Sequence, residues 1–265
     1  MAVQPQPTPA VHVLDTDALA QEDWEELQRW SSPERLQRAA RFKLAADRLR
    51  CIGAGLLLDY VLAHDLGLPP GRSIATGHHG KPYVVGHPDS HVNVSHAGNL
   101  VICTASRWPV GLDVELINDR AVSAALSRFS SDETEYILTS PASELGLRFT
   151  TVWSRKESYL KYRGCGLNYP LNTFSVLSTQ GMMSLIDTAP PLTLTSVITD
   201  DGMSVIARCG HDGPGFALHP VAPHHLLNPA PCQDCSTGPR ITFTGSSQMR
   251  VEVGQPGCRP RSLDD

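Results

Sequence analysis

The chain has no apolar run of the roughly 20 residues that a helix needs to cross a bilayer. Its start, Met1–Ala10, contains several prolines but neither a basic segment nor an apolar stretch, so we expect no secretory signal. These absences predict a cytoplasmic protein with no membrane partner.

A surplus of positive charge is also missing, because the 265 residues carry a net charge of −5. This balance argues against nucleic acid as the main partner. The seven cysteines are scattered and odd in number, so they do not suggest a disulfide framework and suit a reducing compartment. With 41 % hydrophobic residues the chain can still bury one large or two small cores. We expect it to be a monomer.

Two common hydrolase signatures are absent as well. The sequence has no G-x-x-x-x-G-K-[ST] phosphate loop, which most nucleotide hydrolases carry. Ser95 precedes His96, but adjacent residues on a strand face opposite ways, and no G-x-S-x-G elbow occurs. A serine hydrolase is therefore disfavoured.

The most informative stretch that is present runs from Trp153 to Lys161, with the sequence WSRKESYLK. Good helix formers and the glycines that follow predict a helix that ends shortly after it. At 3.6 residues per turn, Trp153, Glu157, Leu160 and Lys161 share one stripe. A carboxylate and an ammonium beside large apolar groups are unusual for a core. The simpler alternative is a Glu157–Lys161 pair on the helix surface.

A second stretch, Val110–Glu115, alternates with period two. Apolar side chains point one way, while Gly111, Asp113 and Glu115 point the other. Two carboxylates on one strand face repel each other unless a cation lies between them, and hard cations such as Mg²⁺ take oxygen ligands of this kind. A solvated outer strand face is the alternative.

Together, the two stretches resemble the signature of the 4′-phosphopantetheinyl transferases, in which V/I-G-V/I-D-x-E is followed by W-S-x-K-E-x-x-x-K. The neighbouring sequence is most similar to the surfactin-type branch, in which one chain carries both halves of the fold. The resemblance implies an α+β, pseudo-duplicated fold. Each of its two similar halves would have helices packed on an antiparallel sheet, and the active site would lie in the cleft between them.

Three segments follow from this resemblance and from composition. Residues 1–108 would form an N-terminal half that binds coenzyme A, and residues 109–227 a C-terminal half with the metal site. Residues 228–265 are polar and small, so they cannot bury enough apolar surface to offset chain entropy, and we expect them to be disordered. Cys232-x-x-Cys235 lies in this tail, but its spacing to further candidate ligands follows no standard zinc pattern.

A basic segment follows Ser32-Pro-Glu34, which has the cap, proline and early acid of a helix start. In an acidic chain a concentration of arginine is notable, because guanidinium groups hold phosphate through two parallel hydrogen bonds. A solvated basic face is the alternative. By resemblance, the groups that bind coenzyme A are Arg35, Arg38, Arg50, Lys81, Pro82, Ser95, His96, Lys156 and Lys161.

The resemblance implies transfer of the 4′-phosphopantetheine arm from coenzyme A to a serine of an acyl or peptidyl carrier protein, with release of adenosine 3′,5′-bisphosphate. Mg²⁺ held by Asp113, Glu115 and Glu157 would polarise the pyrophosphate. Lys156 and Lys161 would add positive charge near it. The alternatives are a binding module that retains coenzyme A without transfer, and a Mg²⁺-dependent nucleotide hydrolase in which water replaces the carrier serine.

The catalytic residues on this view are Glu157, Lys161 and Glu133, and the serine proton would pass to Glu157, Glu133 or a metal-bound water. Glu133 also follows Ser130 by three positions, which is the spacing of a capping box at a helix start. Capping alone is therefore an alternative role for Glu133.

Overall fold

The computed structural model describes residues 8–69, 71, 74–77, 79–166, 169–177, 183–185, 192–211, 213 and 215–227. The tail after residue 227, including Cys232 and Cys235, lies outside the described residues, so its disorder stays a prediction. Within the described ranges, no helix is both long enough and apolar enough to cross a membrane.

The described strands and helices occur in runs along the chain. The first part contains β1 (Ala10–Asp15), α1 (Thr16–Leu19), α2 (Trp24–Arg29), α3 (Pro33–Ala39), α4 (Ala45–Leu66), β2 (Ile74–Thr76), β3 (Pro82–Val84), β4 (His91–Ala97) and β5 (Leu100–Ser106). The second part contains β6 (Val110–Leu116), α5 (Val122–Ala125), α6 (Ser131–Leu138), α7 (Leu145–Arg163), β7 (Met183–Leu185), β8 (Leu192–Ile198), β9 (Ser204–Gly210), β10 (Ala217–Pro220) and α8 (Pro223–Leu227). Short 3₁₀ turns follow α5 and α7, at Leu126–Arg128 and Leu171–Thr173.

In the part of the chain that the structure describes, the strands form two sheets, with orders β10-β1-β5-β4-β3-β2 and β6-β9-β8-β7. The pairings are antiparallel except between β1 and β10, which run parallel. The α+β class predicted from the sequence is confirmed. The pseudo-duplication stays a prediction, since the two described sheets differ in strand number and order. Strand β10 also returns from the C-terminal part to pair with the first strand, which a division after residue 108 does not anticipate.

Three apolar clusters hold the layers together. One lies between α4 and one face of the six-stranded sheet. Another lies between the four-stranded sheet and α7, with α6 beside it. The third lies between the sheets, where Ile102 of β5 meets Leu112 of β6 and Ile206 of β9. The layers therefore follow the order helix, sheet, sheet, helix, and β6 lies next to β4 at the seam.

Helices α3 and α4 begin and end as the local sequence dictates. The Ser32 hydroxyl accepts the Arg35 amide of α3 at 3.2 Å, and Pro33 occupies the first turn, so the predicted helix start is confirmed. Helix α4 has buried apolar residues on most of its surface and ends at Gly67, whose φ of 66° is the left-handed conformation typical of a helix C-terminus. These two helices form one wall of the site described below.

The seam between the sheets depends on polar side chains rather than on a β-ladder. Asn93 Oδ1 of β4 accepts the Leu112 amide of β6 at 2.9 Å, and Ser95 Oγ accepts the Val114 amide at 3.4 Å. Strand β6 is at the edge of its sheet, so these two bonds satisfy donors that would otherwise be buried without partners. They also fix the register of β6 against β4.

Candidate active site

Gly111 sets the distance between β6 and α7. A Cβ atom at this position would lie 1.9 Å from the Ser158 carbonyl oxygen and 2.4 Å from the Tyr162 nitrogen, so only glycine fits there. The close approach brings Asp113 and Glu115, on the same strand face, against α7. The glycine of the first motif is therefore explained by backbone contact.

Asp113 is 2 % exposed and lies at the centre of the seam. Its Oδ1 accepts hydrogen bonds from Lys161 Nζ at 2.6 Å and from Ser95 Oγ at 3.0 Å, and Lys161 Nζ also donates to Ser95 Oγ at 2.9 Å. Burial raises the pKa of Asp113, and Lys161 opposes that rise. The Oδ2 atom is buried and has no hydrogen-bond partner among the described residues.

Glu115 and Glu157 complete a group of three carboxylates. Glu115 accepts a hydrogen bond from Trp153 Nε1 at 3.2 Å, and its pKa is raised by burial and by the charge of Asp113. Burial and the charges of Asp113 and Glu115 raise the pKa of Glu157 to about 7, although Lys161 acts in the opposite direction. The Lys161 ammonium forms its ion pair with Asp113, which distinguishes this arrangement from a surface Glu157–Lys161 pair.

These three carboxylates are the groups that would hold a divalent cation, although they are not among the described side chains whose ligand atoms all lie within 4.8 Å of one another. Burial raises the pKa of each of them, and neighbouring carboxylates raise the pKa of Glu115 and Glu157 further, so a cation bound there would relieve that repulsion. The unpartnered Oδ2 of Asp113 offers a ligand atom. All three donors are carboxylate oxygens, which suit Mg²⁺ better than softer metals.

A cleft of about 1090 Å³ lies against α3 and α4. Its lining includes Arg35, Arg38 and Arg50, three of the basic residues singled out in the sequence, together with Pro82 and His96. A cavity with several guanidinium groups on its wall suits a phosphorylated ligand.

The three arginines differ in the contacts that they already make within the protein. Arg50 donates to the Gly98 carbonyl oxygen at 2.7 Å and forms an ion pair with Asp47. The Arg35 side chain lies across Gly55 of α4, where a Cβ atom would be 2.7 Å from its Nε. Arg38, in contrast, is exposed on the last turn of α3. It is therefore the arginine with most freedom to reach a ligand.

Ser95 and His96 face opposite sides of β4, as their adjacency requires. His96 lines the cleft, while Ser95 is buried against Asp113. Burial lowers the pKa of His96, and the charges of Arg50 and Lys161 lower it further. Since His96 lines the cleft and its neighbour Ser95 donates to Asp113, the cleft and the carboxylates adjoin each other at this end of β4.

Lys81 and Pro82 belong to the Gly80-Lys-Pro loop, but the structure gives them different surroundings. Pro82 lines the cleft. The Lys81 ammonium donates to the Val110 carbonyl oxygen at 3.1 Å and to the Tyr162 carbonyl oxygen at 2.9 Å. Burial lowers the pKa of Lys81 to about 8. Lys81 thus ties the loop to the start of β6 and the end of α7, and its contact with coenzyme A stays a prediction.

Lys156 is fully buried on the core side of α7. Its ammonium forms an ion pair with Glu133 at 2.8 Å and donates to the carbonyl oxygens of Leu171 and Phe174, each at 2.7 Å. A lysine has three N–H donors, so this set leaves none for a ligand. The position of Lys156 near the phosphates therefore stays a prediction, which these contacts do not favour. Neighbouring residues on a helix point about 100° apart, and here Glu157 lies near Asp113 and Glu115 instead.

Glu133 is also fully buried, and it closes the predicted capping box. Its Oε2 accepts from the Ser130 amide at 3.0 Å and from the Ser130 hydroxyl at 2.7 Å, and its Oε1 accepts from the Val176 amide at 2.8 Å. Together with Lys156, four groups donate hydrogen bonds to the Glu133 carboxylate, which is the number that its lone pairs can accept. These contacts match the alternative in which Glu133 caps helix α6.

Sequence reasoning did not identify two contacts of this site. Trp153 donates to Glu115, and Lys161 joins Ser95 of one sheet to Asp113 of the other. The helical stripe that places Trp153 beside Glu157 was the available signal for the contact between Trp153 and Glu115. The contacts of Lys161 depend on how the two sheets meet, so no local pattern could reveal them.

A cleft bordered by arginines that adjoins a buried carboxylate cluster is typical of an enzyme that acts on a phosphorylated substrate. A family-wide sequence model described as the 4′-phosphopantetheinyl transferase superfamily matches residues 109–201. The 4′-phosphopantetheinyl transferase Sfp of Bacillus subtilis strain 168 is 32 % identical over 197 residues, which cover 73 % of this chain and 88 % of that relative. The chain therefore belongs to the 4′-phosphopantetheinyl transferases, and the resemblance found in its motifs is confirmed.

Two further relatives carry the same family name. The 4′-phosphopantetheinyl transferase psf-1 of Bacillus pumilus is 33 % identical over 171 residues, or 64 % of this chain and 73 % of the relative. The 4′-phosphopantetheinyl transferase HetI of Nostoc sp. strain PCC 7120 is 27 % identical over 188 residues, or 68 % of this chain and 78 % of the relative. These similarities extend across most of the chain and support its assignment as an enzyme of this family.

The raised pKa of Glu157 gives a pH-dependent prediction. Since this pKa rises from 4.5 to about 7 on folding, the associated stabilisation is present below pH 4.5 and is lost as pH increases through about 7. In metal-free buffer at pH 8 we expect Glu157→Gln to increase the free energy of unfolding by about 2 kcal/mol, allowing for partial exposure. At pH 5 the difference should decrease to about a quarter of that value.

Chemical denaturation of both proteins at the two pH values, in the presence of a chelator, measures this effect. Glu144→Gln is the control, because Glu144 is an exposed helix-terminal carboxylate paired with Arg148. An equal stability difference at pH 5 and pH 8 would contradict the assignment of the raised pKa to Glu157.

Proposed function

We propose that this enzyme transfers the 4′-phosphopantetheine group from coenzyme A to a serine of an apo acyl or peptidyl carrier protein. The reaction would depend on Mg²⁺ and release adenosine 3′,5′-bisphosphate. One observation carries the proposal: a cleft large enough for a nucleotide, bordered by arginines, adjoins three carboxylates whose charges repel one another. The relatives named as 4′-phosphopantetheinyl transferases support the same reaction.

Coenzyme A would occupy the cleft, with its phosphates toward the basic wall. Arg38 is exposed there, while Arg35 and Arg50 are held in position by contacts with α4 and with Asp47. His96 lies where the cleft approaches Lys161 and the carboxylates. This arrangement would direct the pyrophosphate toward the seam and leave the pantetheine arm free to extend past it.

Asp113, Glu115 and Glu157 would hold Mg²⁺, which supplies charge neutralisation for the pyrophosphate when bound. Lys161 would keep Asp113 ionised and oriented, because it donates to the Oδ1 atom at 2.6 Å. Trp153 would orient Glu115 in the same way. Ser95 acts here as a support for Asp113 and Lys161 rather than as a phosphate ligand.

Glu157 is the residue that we propose as proton acceptor for the carrier serine, directly or through water. Burial and the neighbouring carboxylates raise the pKa of Glu157 to about 7 in the metal-free site, and bound Mg²⁺ would lower it, so Glu157 would act as an ionised acceptor. Glu133 is a weaker candidate, since its oxygens already accept four hydrogen bonds inside the core. We assign Glu133 and Lys156 to support of α7.

Mass spectrometry of an apo carrier protein, incubated with this enzyme, coenzyme A and Mg²⁺, tests the proposal. A mass gain of one phosphopantetheine unit is expected, together with adenosine 3′,5′-bisphosphate in equal amount. Nucleotide release without modification of the carrier would indicate a hydrolase. Binding of coenzyme A without either product would indicate a binding module.

Arg38→Ala should increase the Michaelis constant for coenzyme A about tenfold, because a charge-assisted phosphate contact contributes about 1.5 kcal/mol. The Michaelis constant for the carrier protein should change little, and coenzyme binding should become less sensitive to salt. Arg41→Ala is the matched control, since Arg41 is exposed nearby but does not line the cleft. Equal effects of the two substitutions would contradict a specific role for Arg38.

A further inference from the structure

A second cluster of ionisable side chains lies at the far end of α4, on the α4 side of the six-stranded sheet. Asp65, in the last turn of α4, accepts hydrogen bonds from two histidines. His12 Nε2 of β1 lies 3.0 Å from Asp65 Oδ1 and 3.1 Å from Oδ2, and His64 Nδ1 lies 2.8 Å from Oδ1. Neither histidine belongs to the proposed coenzyme or metal site.

The three side chains have the dimensions of a metal site. Each offers one ligand atom, and these atoms all lie within 4.8 Å of one another. In a tetrahedral zinc site with bonds of about 2.0–2.1 Å, neighbouring ligand atoms are about 3.3 Å apart. The histidine–carboxylate distances of 2.8–3.1 Å are slightly shorter than this spacing, and the two histidine nitrogens lie within 4.8 Å of each other.

The polar atoms of this cluster are incompletely satisfied. His12 is 2 % exposed, and its Nδ1 has no hydrogen-bond partner among the described residues. This Nδ1 atom is not the ring nitrogen that faces Asp65, so it is not the atom that would bind a metal shared with Asp65.

We propose that His12, His64 and Asp65 bind a first-row transition-metal dication, for which Zn²⁺ is the representative ion. Two imidazoles and one carboxylate form a donor set that suits zinc far better than Mg²⁺, whose preferred ligands are all oxygens. The fourth position would be taken by water or by His219 of β10, whose ring centroid lies 5.5 Å from that of His12. The His64 side chain is 34 % exposed, which gives the ion access from solvent.

The site would act as a cross-link rather than in the reaction. It would join β1 to the end of α4, next to the parallel pair in which His12 of β1 is opposite His219 of β10. Tyr60, one turn earlier in α4, stacks on His64 with ring centroids 5.4 Å apart and also lines the cleft. A metal at this position would therefore stabilise the helix that forms the cleft wall.

The test is a Zn²⁺ titration of the metal-free, full-length chain in excess Mg²⁺, which occupies any carboxylate-only site. A variant with Cys232, Cys235 and Cys258 all replaced by serine separates this site from any zinc bound by the tail. We expect the triple-serine chain to bind one Zn²⁺ and to show a higher melting temperature with the metal. Adding Asp65→Asn or His64→Ala should reduce zinc affinity at least about 100-fold and abolish the melting shift.

His224→Ala/His225→Ala is the matched control, because these adjacent histidines are exposed on α8 and could bind zinc weakly. It should leave the affinity unchanged. The proposal is overturned if the triple-serine chain binds no zinc, or if replacing His224 and His225 abolishes zinc binding. It is also overturned if the Asp65→Asn and His64→Ala variants both bind zinc as tightly as their parent. Circular dichroism of the metal-free variants identifies any that fail to fold, and His64→Ala, at a partly exposed position, is the variant best placed to fold.

Discussion

Asp113→Ala is expected to reduce phosphopantetheine transfer at least about a thousandfold under the proposed function. The substitution removes the most deeply buried of the three carboxylates and the partner of Lys161. A hard cation that retains fewer protein oxygens binds weakly or in the wrong place. Lys161 would also lose the acceptor that holds its ammonium at the seam, so the substitution would disturb both the metal ligands and the position of Lys161.

Asp113→Asn separates the loss of the negative charge from the loss of the side chain itself. The amide keeps the shape of the side chain and one oxygen, but it loses the charge that a cation and Lys161 both need. We expect transfer to stay low even at saturating Mg²⁺, and Asp119→Asn, an exposed carboxylate shortly after β6, should react normally. If Asp113→Asn transferred the arm at the wild-type rate and with the same Mg²⁺ dependence, the carboxylate site would not be the metal site.

The sequence was informative wherever local chemistry decides the structure. The alternation of Val110–Glu115 predicted one face for Asp113 and Glu115, and the structure places that face against α7. The cap at Ser32 and the box formed by Ser130 with Glu133 depend on residues three positions apart, so spacing alone sufficed.

The parts that depend on long-range packing could not be predicted. Lys156 and Glu157 are neighbours in the motif, yet one enters the core and the other faces the carboxylates, because the direction of each depends on what packs against α7. The pairing of β10 with β1 joins segments about two hundred residues apart, and no local pattern reports it. The same holds for Lys81, whose partners lie on β6 and α7.

Lys156→Ala is expected to cause the largest loss of stability, about 3–5 kcal/mol, because it leaves Glu133 buried without its ion-pair partner. It would also remove the two hydrogen bonds from the Lys156 ammonium to the 171–174 segment. The contact between the ammonium and the Phe174 ring at 4.1 Å would be lost as well. Thermal and denaturant unfolding measure the loss. Arg163→Ala is the control, since Arg163 belongs to the same helix but is exposed.

A support role and a ligand role for Lys156 make opposite predictions for the folded fraction of Lys156→Ala. If Lys156 supports α7, the variant that remains folded at low temperature should keep a nearly normal Michaelis constant for coenzyme A. Combining Lys156→Met with Glu133→Gln should recover part of the lost stability, because it removes both buried charges rather than one. If Lys156 contacts a phosphate, the Michaelis constant should increase strongly while stability changes little. That second outcome would contradict the buried ion pair, and it would return Lys156 to the coenzyme site that the motif alone suggested.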